Sequence, residues 1–120
     1  MLAKVQPILG TRDLAKAIHF YVDRLGFTFA FGDENYVGLR RDSVELHMQF
    51  QYEFEMQTTR LRFVVDDPDA LYEEFKDRNV FDAGARLEDT PWGTREFALY
   101  DLDRNALTFY RDIEKPRQGQ

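Results

Sequence analysis

Residues 6–24 read QPILGTRDLAKAIHFYVDR, and residues 60–78 read RLRFVVDDPDALYEEFKDR. Sliding the first onto the second by 54 positions aligns Gln6 with Arg60, Asp13 with Asp67, Tyr21 with Phe75, and the Asp-Arg pair at 23–24 with that at 77–78. The identities are few, but the order of structural signals around them is the same in both halves. Internal repetition decides the fold before any single residue does.

In the first half, KVQPIL (4–9) is short and alternately apolar, as a strand is, and GTRD (10–13) supplies turn and N-cap chemistry at Thr11 or Asp13. LAKAIHFYVDRL (14–25) places Leu14, Ala17, Ile18, Tyr21, Val22 and Leu25 at helical spacing, and Gly26 stands where a left-handed residue ends a helix. FTFAF (27–31), NYVGLR (35–40) and SVELHMQF (43–50) follow as strands separated by turn residues. The second half repeats this order. RLRFVV (60–65) reads as a strand and DDPDALYEEFKDRN (66–79) as a helix, capped by Asp67 with Pro68 at its first position. ARLEDT (85–90), TREFALY (94–100) and ALTFYR (106–111) then read as strands. The expected fold is α+β: two βαβββ modules, about 4–57 and 58–112, in a pseudo-twofold arrangement within one domain, followed by a tail over 113–120. A concave surface between such repeats is where a ligand is expected to sit.

The chain has 120 residues, enough for a core that needs no staple. It contains no cysteine, which excludes disulfides, thiolate catalysis and thiolate metal sites. The formal charge of -6 disfavours nucleic acid, whose phosphates it repels, and mildly favours cationic partners. No apolar run approaches the ~18 residues of a membrane span, and the first residues lack a signal-peptide core, so a cytoplasmic location and no membrane partner are expected.

From Val44 to Gln57 every even position is apolar or aromatic and every odd one is polar. Such alternation reads either as one long two-faced strand or as a shorter strand and an irregular segment whose aromatics fold back on their own subunit. In the first reading Phe50, Tyr52 and Phe54 need a second protein surface, which a homodimer supplies. Trp92, the only tryptophan, stands between Pro91 and Gly93, and spacing alone leaves both a core-capping and an outward-facing role open. His19 falls off the apolar stripe and reads as a surface residue. No carboxylate dyad or Ser/His/Asp set can be placed from spacing.

Four stretches, VQPILGTRDLAKAIHFYVDRLGF (5–27), NYVGLRRDSVELHM (35–48), DDPDALYEEF (66–75) and PWGTREFALYDLDRNALTFYRD (91–112), resemble the bleomycin resistance proteins. These are drug-sequestering members of the glyoxalase-like, vicinal-oxygen-chelate superfamily. The resemblance implies an intertwined homodimer, a first strand that swaps around Pro7, and drug-binding crevices at the subunit boundary. It also implies no enzymatic activity and no cofactor. The stacking pair of that family falls on Tyr36 and Trp92, one from each subunit, suited to a planar heteroaromatic group. Glu45, His47 and Asp33 are further expected ligand-facing residues, with Glu34, Glu53 and Glu55 adding negative potential toward a cationic tail, and Arg60 facing the same crevice.

The alternative is a metal-dependent enzyme of the same superfamily, or a binder of another planar or hydrophobic compound. Enzymes of this group carry His, Gln or Glu at four strand positions, which map here onto Gln6, Glu45, Arg60 and Thr108. Arginine is no ligand, threonine is a poor one, and a guanidinium repels a divalent cation. A metal set is therefore not expected, with Gln6, Glu45 and His47 as the one rearranged possibility.

Overall fold

A computed structural model describes residues 1–113, so the expected tail lies outside the described residues except for Ile113. Two βαβββ modules are present. The first runs β1 (Ile8–Thr11), α1 (Leu14–His19), a π-helical turn (Phe20–Arg24), β2 (Thr28–Gly32), β3 (Tyr36–Arg41) and β4 (Val44–Phe50). The second runs β5 (Arg60–Val64), α2 (Pro68–Phe75), β6 (Glu88–Asp89), β7 (Thr94–Tyr100) and β8 (Ala106–Asp112). The sheets are ordered β1-β4-β3-β2 and β5-β8-β7-β6, with β1·β4 and β5·β8 parallel and the other pairs antiparallel. No helix among the described residues is long and apolar enough to cross a membrane.

The chain divides into two compact units, Met1–Thr59 with Asp101–Asn105, and Arg60–Tyr100 with the residues from Ala106 onward. In the first unit Leu9, Val37, Leu39, Leu46 and Met48 are fully buried on one face of the sheet, where they meet Leu14, Ala17, Phe20, Tyr21 and Leu25. Asp13 caps α1 by accepting from Lys16 N at 3.0 Å. The helix then widens, with Leu25 N–H reaching Phe20 O at 3.3 Å, before Gly26 turns the chain at φ 76°. The wider turn brings Phe20 into the core, a residue the regular helical stripe omits. In the second unit the core is aromatic: Phe63 and Phe97 each stack on Phe109, at 4.8 and 5.2 Å between centroids, and Phe75 meets both Phe97 and Phe109 edge-on.

Several boundaries differ from those expected. β1 begins at Ile8, because Pro7 has no N–H to give a ladder, while its carbonyl accepts from His47 N at 3.0 Å. Gly10 and Thr11, read as a turn, belong to that strand. The alternating segment is not one long strand. β4 ends at Phe50, and Glu53–Glu55 form a 3₁₀ turn whose Glu55 carboxylate accepts from Tyr52 N at 2.8 Å. Gln51 N still bonds Thr11 O at 2.8 Å at the end of β1, but among the described residues no strand pairs with 52–57, so local hydrogen bonds win. Tyr52 stacks on Phe54 at 5.7 Å, and both rings are exposed. The strand expected over 85–90 shrinks to Glu88–Asp89, pairing only with Arg95 and Glu96. α2 covers eight residues, capped by Asp67 as expected.

The turn Asp101–Asn105, polar in sequence at four of its five positions, is buried at three of them in the first unit. Asp101 accepts from Tyr21 Oη (2.7 Å), Asn105 Nδ2 (2.9 Å), Asp103 N (2.8 Å) and Asn105 N (3.0 Å). Asp103 accepts from Thr11 Oγ1 (2.6 Å) and from Arg12 N (3.1 Å) and Nε (3.0 Å). Asn105 accepts from Thr59 N at 2.8 Å and donates to Gly10 O at 3.3 Å. Burial, reinforced by the nearby Asp101 carboxylate, raises the Tyr21 phenol well above its ordinary value. A raised folded-state pKa contributes stability that is whole below the unfolded value of ~10 and is lost as pH climbs past it. Tyr21→Phe is expected to cost about 1–3 kcal/mol at neutral pH, and to remove part of the loss of stability above pH ~10. Urea midpoints measured across that pH range check both effects.

Candidate functional site

Each sheet buries one apolar face, and the other face, mixed polar and aromatic, carries or borders the residues singled out by the sequence. In the first sheet the register sets Gly38 and Ile8 on either side of His47, Arg40 beside Glu45, and Tyr36 beside Gln49. Four side chains form a line across this face. Arg40 Nε donates to Glu45 Oε1 at 2.7 Å, Glu45 Oε2 meets His47 Nε2 at 2.7 Å, and His47 Nδ1 meets Tyr36 Oη at 2.7 Å. The rings of Phe31 and Tyr36 stand edge-on to the imidazole at 5.1 and 5.3 Å. Phe31 reaches this position because it lies over Gly38, where any Cβ collides with its ring. Hydrogen bonds from Arg40 and His47 hold the Glu45 carboxyl down at about 2, against the opposing effect of desolvation.

In the second sheet the corresponding chain ends on Trp92. Glu96 Oε1 accepts from Thr94 Oγ1 (2.6 Å), Arg62 Nη2 (3.2 Å) and Trp92 Nε1 (3.3 Å), and the Arg62 guanidinium lies over the Tyr110 ring at 4.1 Å. The indole remains 60% exposed, so Trp92 is not a core residue. An open groove of about 460 Å³ runs along the outer edge of β7, with Trp92, Glu96 and Tyr100 among its walls. In both units an arginine holds a carboxylate, and the carboxylate holds an aromatic ring, directly or through a histidine. The rings are oriented by polar bonds while their faces stay outside the core.

The expected site residues fall as follows. Tyr36, His47 and Glu45 are brought together in the first unit, while Trp92 and Arg60 lie in the second. Asp33 holds the β2–β3 turn by accepting from Asn35 N (2.8 Å) and Tyr36 N (3.1 Å), so its carboxylate positions the Tyr36 backbone. Arg60 is exposed on β5 opposite Ala106. Sequence reasoning did not single out Arg40, Phe31, Thr94 or Glu96. The spacing Trp92-x-Thr94-x-Glu96 was the one available signal, since alternate residues share a face of a strand.

Two βαβββ modules, each a four-stranded sheet with a helix on one face, define the fold class, and comparison with known proteins gives its family. Residues 4–109 match the model of the Glyoxalase/Bleomycin resistance protein/Dioxygenase superfamily, and the chain belongs to that superfamily. It is 27% identical over 126 aligned positions to the bleomycin resistance proteins of Geobacillus stearothermophilus and Staphylococcus aureus, covering 90% of this chain and 96% of theirs. Its structure is similar to that of the bleomycin-binding protein from bleomycin-producing Streptomyces verticillus, solved with copper(II)-bleomycin (TM-score 0.77, 30% identity, 96% of this chain, 100% of that one). It shares the fold of a bleomycin resistance determinant encoded on the transposon Tn5 (TM-score 0.81, 23% identity, 92% of this chain, 98% of that one).

Enzymes in the superfamily bind a metal, and the residues present here do not fit one. Arg60 stands opposite Ala106, and Thr108 stands opposite Arg62, so the second sheet offers guanidinium groups where anionic or neutral donors are needed. In the first sheet both Glu45 oxygens and both His47 nitrogens are engaged with Arg40, Tyr36 and one another. No group of three or more His, Asp or Glu residues suited to a metal occurs among the described residues.

The depressed Glu45 value has a direct check. A pKa below the ordinary range favours the ionised carboxylate in the fold; its contribution is present above the unfolded value of ~4.3 and is lost as pH falls through about 2. Carboxyl-carbon NMR is expected to follow Glu45 to a midpoint near 2, and to show it rising toward ~4 in Arg40→Ala.

Proposed function

We propose that this protein is a cytoplasmic, non-enzymatic binder of bleomycin-type glycopeptides, acting as a homodimer with crevices at the subunit boundary. Tyr36 of one subunit and Trp92 of the other would stack on the drug's planar group. The observation that carries this reading is Trp92: an indole 60% exposed, yet fixed by its N–H to a carboxylate that Arg62 and Thr94 also hold. A ring held in place before the ligand arrives loses little entropy on binding, which is what a stacking wall requires. The two rings belong to different units of the chain, which is compatible with pairing across subunits. The drug-bound structure of the Streptomyces verticillus relative supports the ligand class, and the poor fit to a metal supports sequestration over chemistry.

Titrating the protein with bleomycin while following Trp92 emission is expected to give a saturable change at one drug per subunit. Trp92→Ala and Tyr36→Ala should each weaken binding by about 1–3 kcal/mol, measured by calorimetry where the fluorophore is gone. A wild-type titration with no response rejects the drug assignment. Sedimentation at micromolar concentration is expected to show a dimer.

A further inference from the structure

Tyr36 contributes more than a ring face. The Glu45 carboxylate, held by Arg40, can only accept hydrogen bonds, so the His47 nitrogen facing it, Nε2 at 2.7 Å, must carry the hydrogen. In the uncharged imidazole the other nitrogen, Nδ1, is then an acceptor. Tyr36 Oη lies 2.7 Å from it and has one hydrogen to give. That hydrogen is committed to His47, and the phenol oxygen turns only lone pairs to anything lying on this face.

A second observation points the same way. Gly10, Gln49 and Tyr36 form one cross-strand row, and the Gln51 carboxamide folds over Gly10, where a Cβ would collide with its oxygen. Gln51 Oε1 is buried and has no hydrogen-bond partner among the described residues. An unmatched acceptor at one end of the row and an acceptor-only phenol at the other leave the row in want of donors. The net charge of -6 favours those donors being cationic.

We propose that His47 and Glu45 fix Tyr36 as a hydrogen-bond acceptor, so that this face of the first sheet selects ligands presenting an N–H donor, such as an amine, amide or amidinium group. His47 and Glu45 are positioning residues in this scheme and Tyr36 makes the contact. The inference rests on the reading of this face as ligand-binding, and its test separates the two. Glu45→Gln inverts the chain without changing its shape. Arg40 keeps the amide oxygen, the amide N–H₂ must donate to His47 Nε2, Nδ1 takes the hydrogen, and Tyr36 becomes a donor.

The experiment has a structural arm and a binding arm. Long-range 1H–15N spectra of the histidine ring at pH 8 are expected to show His47 as the Nε2–H form in wild type and the Nδ1–H form in Glu45→Gln. The Nδ1–H form in wild type overturns the proposal. Binding is measured with bleomycin and, separately, with benzamidinium, a small aromatic donor. Tyr36→Phe and Glu45→Gln are each expected to weaken benzamidinium about tenfold, since a good hydrogen bond is worth roughly that factor. Adding Glu45→Gln to Tyr36→Phe should then change nothing further. If Glu45→Gln costs the same with and without the phenol, it acts through lost charge alone and the proposal fails. If bleomycin does not bind but benzamidinium follows the Tyr36-dependent pattern, the drug assignment falls while the donor rule stands.

Discussion

Two carboxylates in the five-residue turn Asp101–Asn105 are buried, and a buried charge is tolerated only when its lone pairs are met. Asp101 meets four donors and Asp103 three, and these come from α1's continuation (Tyr21), the end of β1 (Thr11), the backbone and side chain of Arg12, and the turn itself. Arg104 adopts φ 65° to close this turn, a conformation that a β-branched residue would resist. Loss of any one donor leaves a charge short of a partner in a dry setting, which costs far more than the bond was worth in water. The chain segment between β7 and β8 is thereby held within the first unit.

Given that anchoring, each module divides its sheet by the same rule. One face is apolar and takes the helix, and the other mixes charged groups with rings and isolated aliphatic side chains. An open polar face is ordinarily disordered in its side chains, because water competes for every bond. Here the charges are organised by proximity across strands: Arg40 on β3 meets Glu45 on the neighbouring β4, and Arg62 on β5 reaches over β8 to Glu96 on β7. Such exposed pairs add little to stability. Their consequence is positional, since each carboxylate then fixes a ring at a cost in rotamer freedom met during folding and not during binding.

The repeat made the module order and sheet faces legible, because alternation and capping are local signals. Asp13 and Asp67 cap their helices as read, and Leu46 and Met48 are buried as their parity requires. The burial of Asp101, Asp103 and Asn105 was not legible. Asp, Arg and Asn between two apolar runs describe a solvent turn equally well, and only tertiary contacts reverse that reading. The end of β4 was hidden for a related reason: alternation continues to Gln57, but a strand also needs a neighbour to bond, and the sequence pattern is silent on neighbours. At the site, Tyr36, His47, Glu45 and Trp92 stood out by type and motif. Arg40, Arg62 and Glu96 act across strands, so their roles appear only once the register is known.

That distinction bears on what the scaffold can hold. A metal centre needs ligands with unshared electron pairs pointing into a common volume. In the first sheet the candidate donors are already turned to other partners: Glu45 to Arg40 and His47, and His47 to Glu45 and Tyr36. In the second, Arg60 brings positive charge to one position that such a centre would use, and Arg62 stands opposite the other, Thr108. The carboxylates held by Arg40 and Arg62 instead orient Tyr36, through His47, and Trp92. On the reading proposed above, a face on which charges neutralise one another and present rings suits a planar ligand carrying donors better than a substrate that must be polarised.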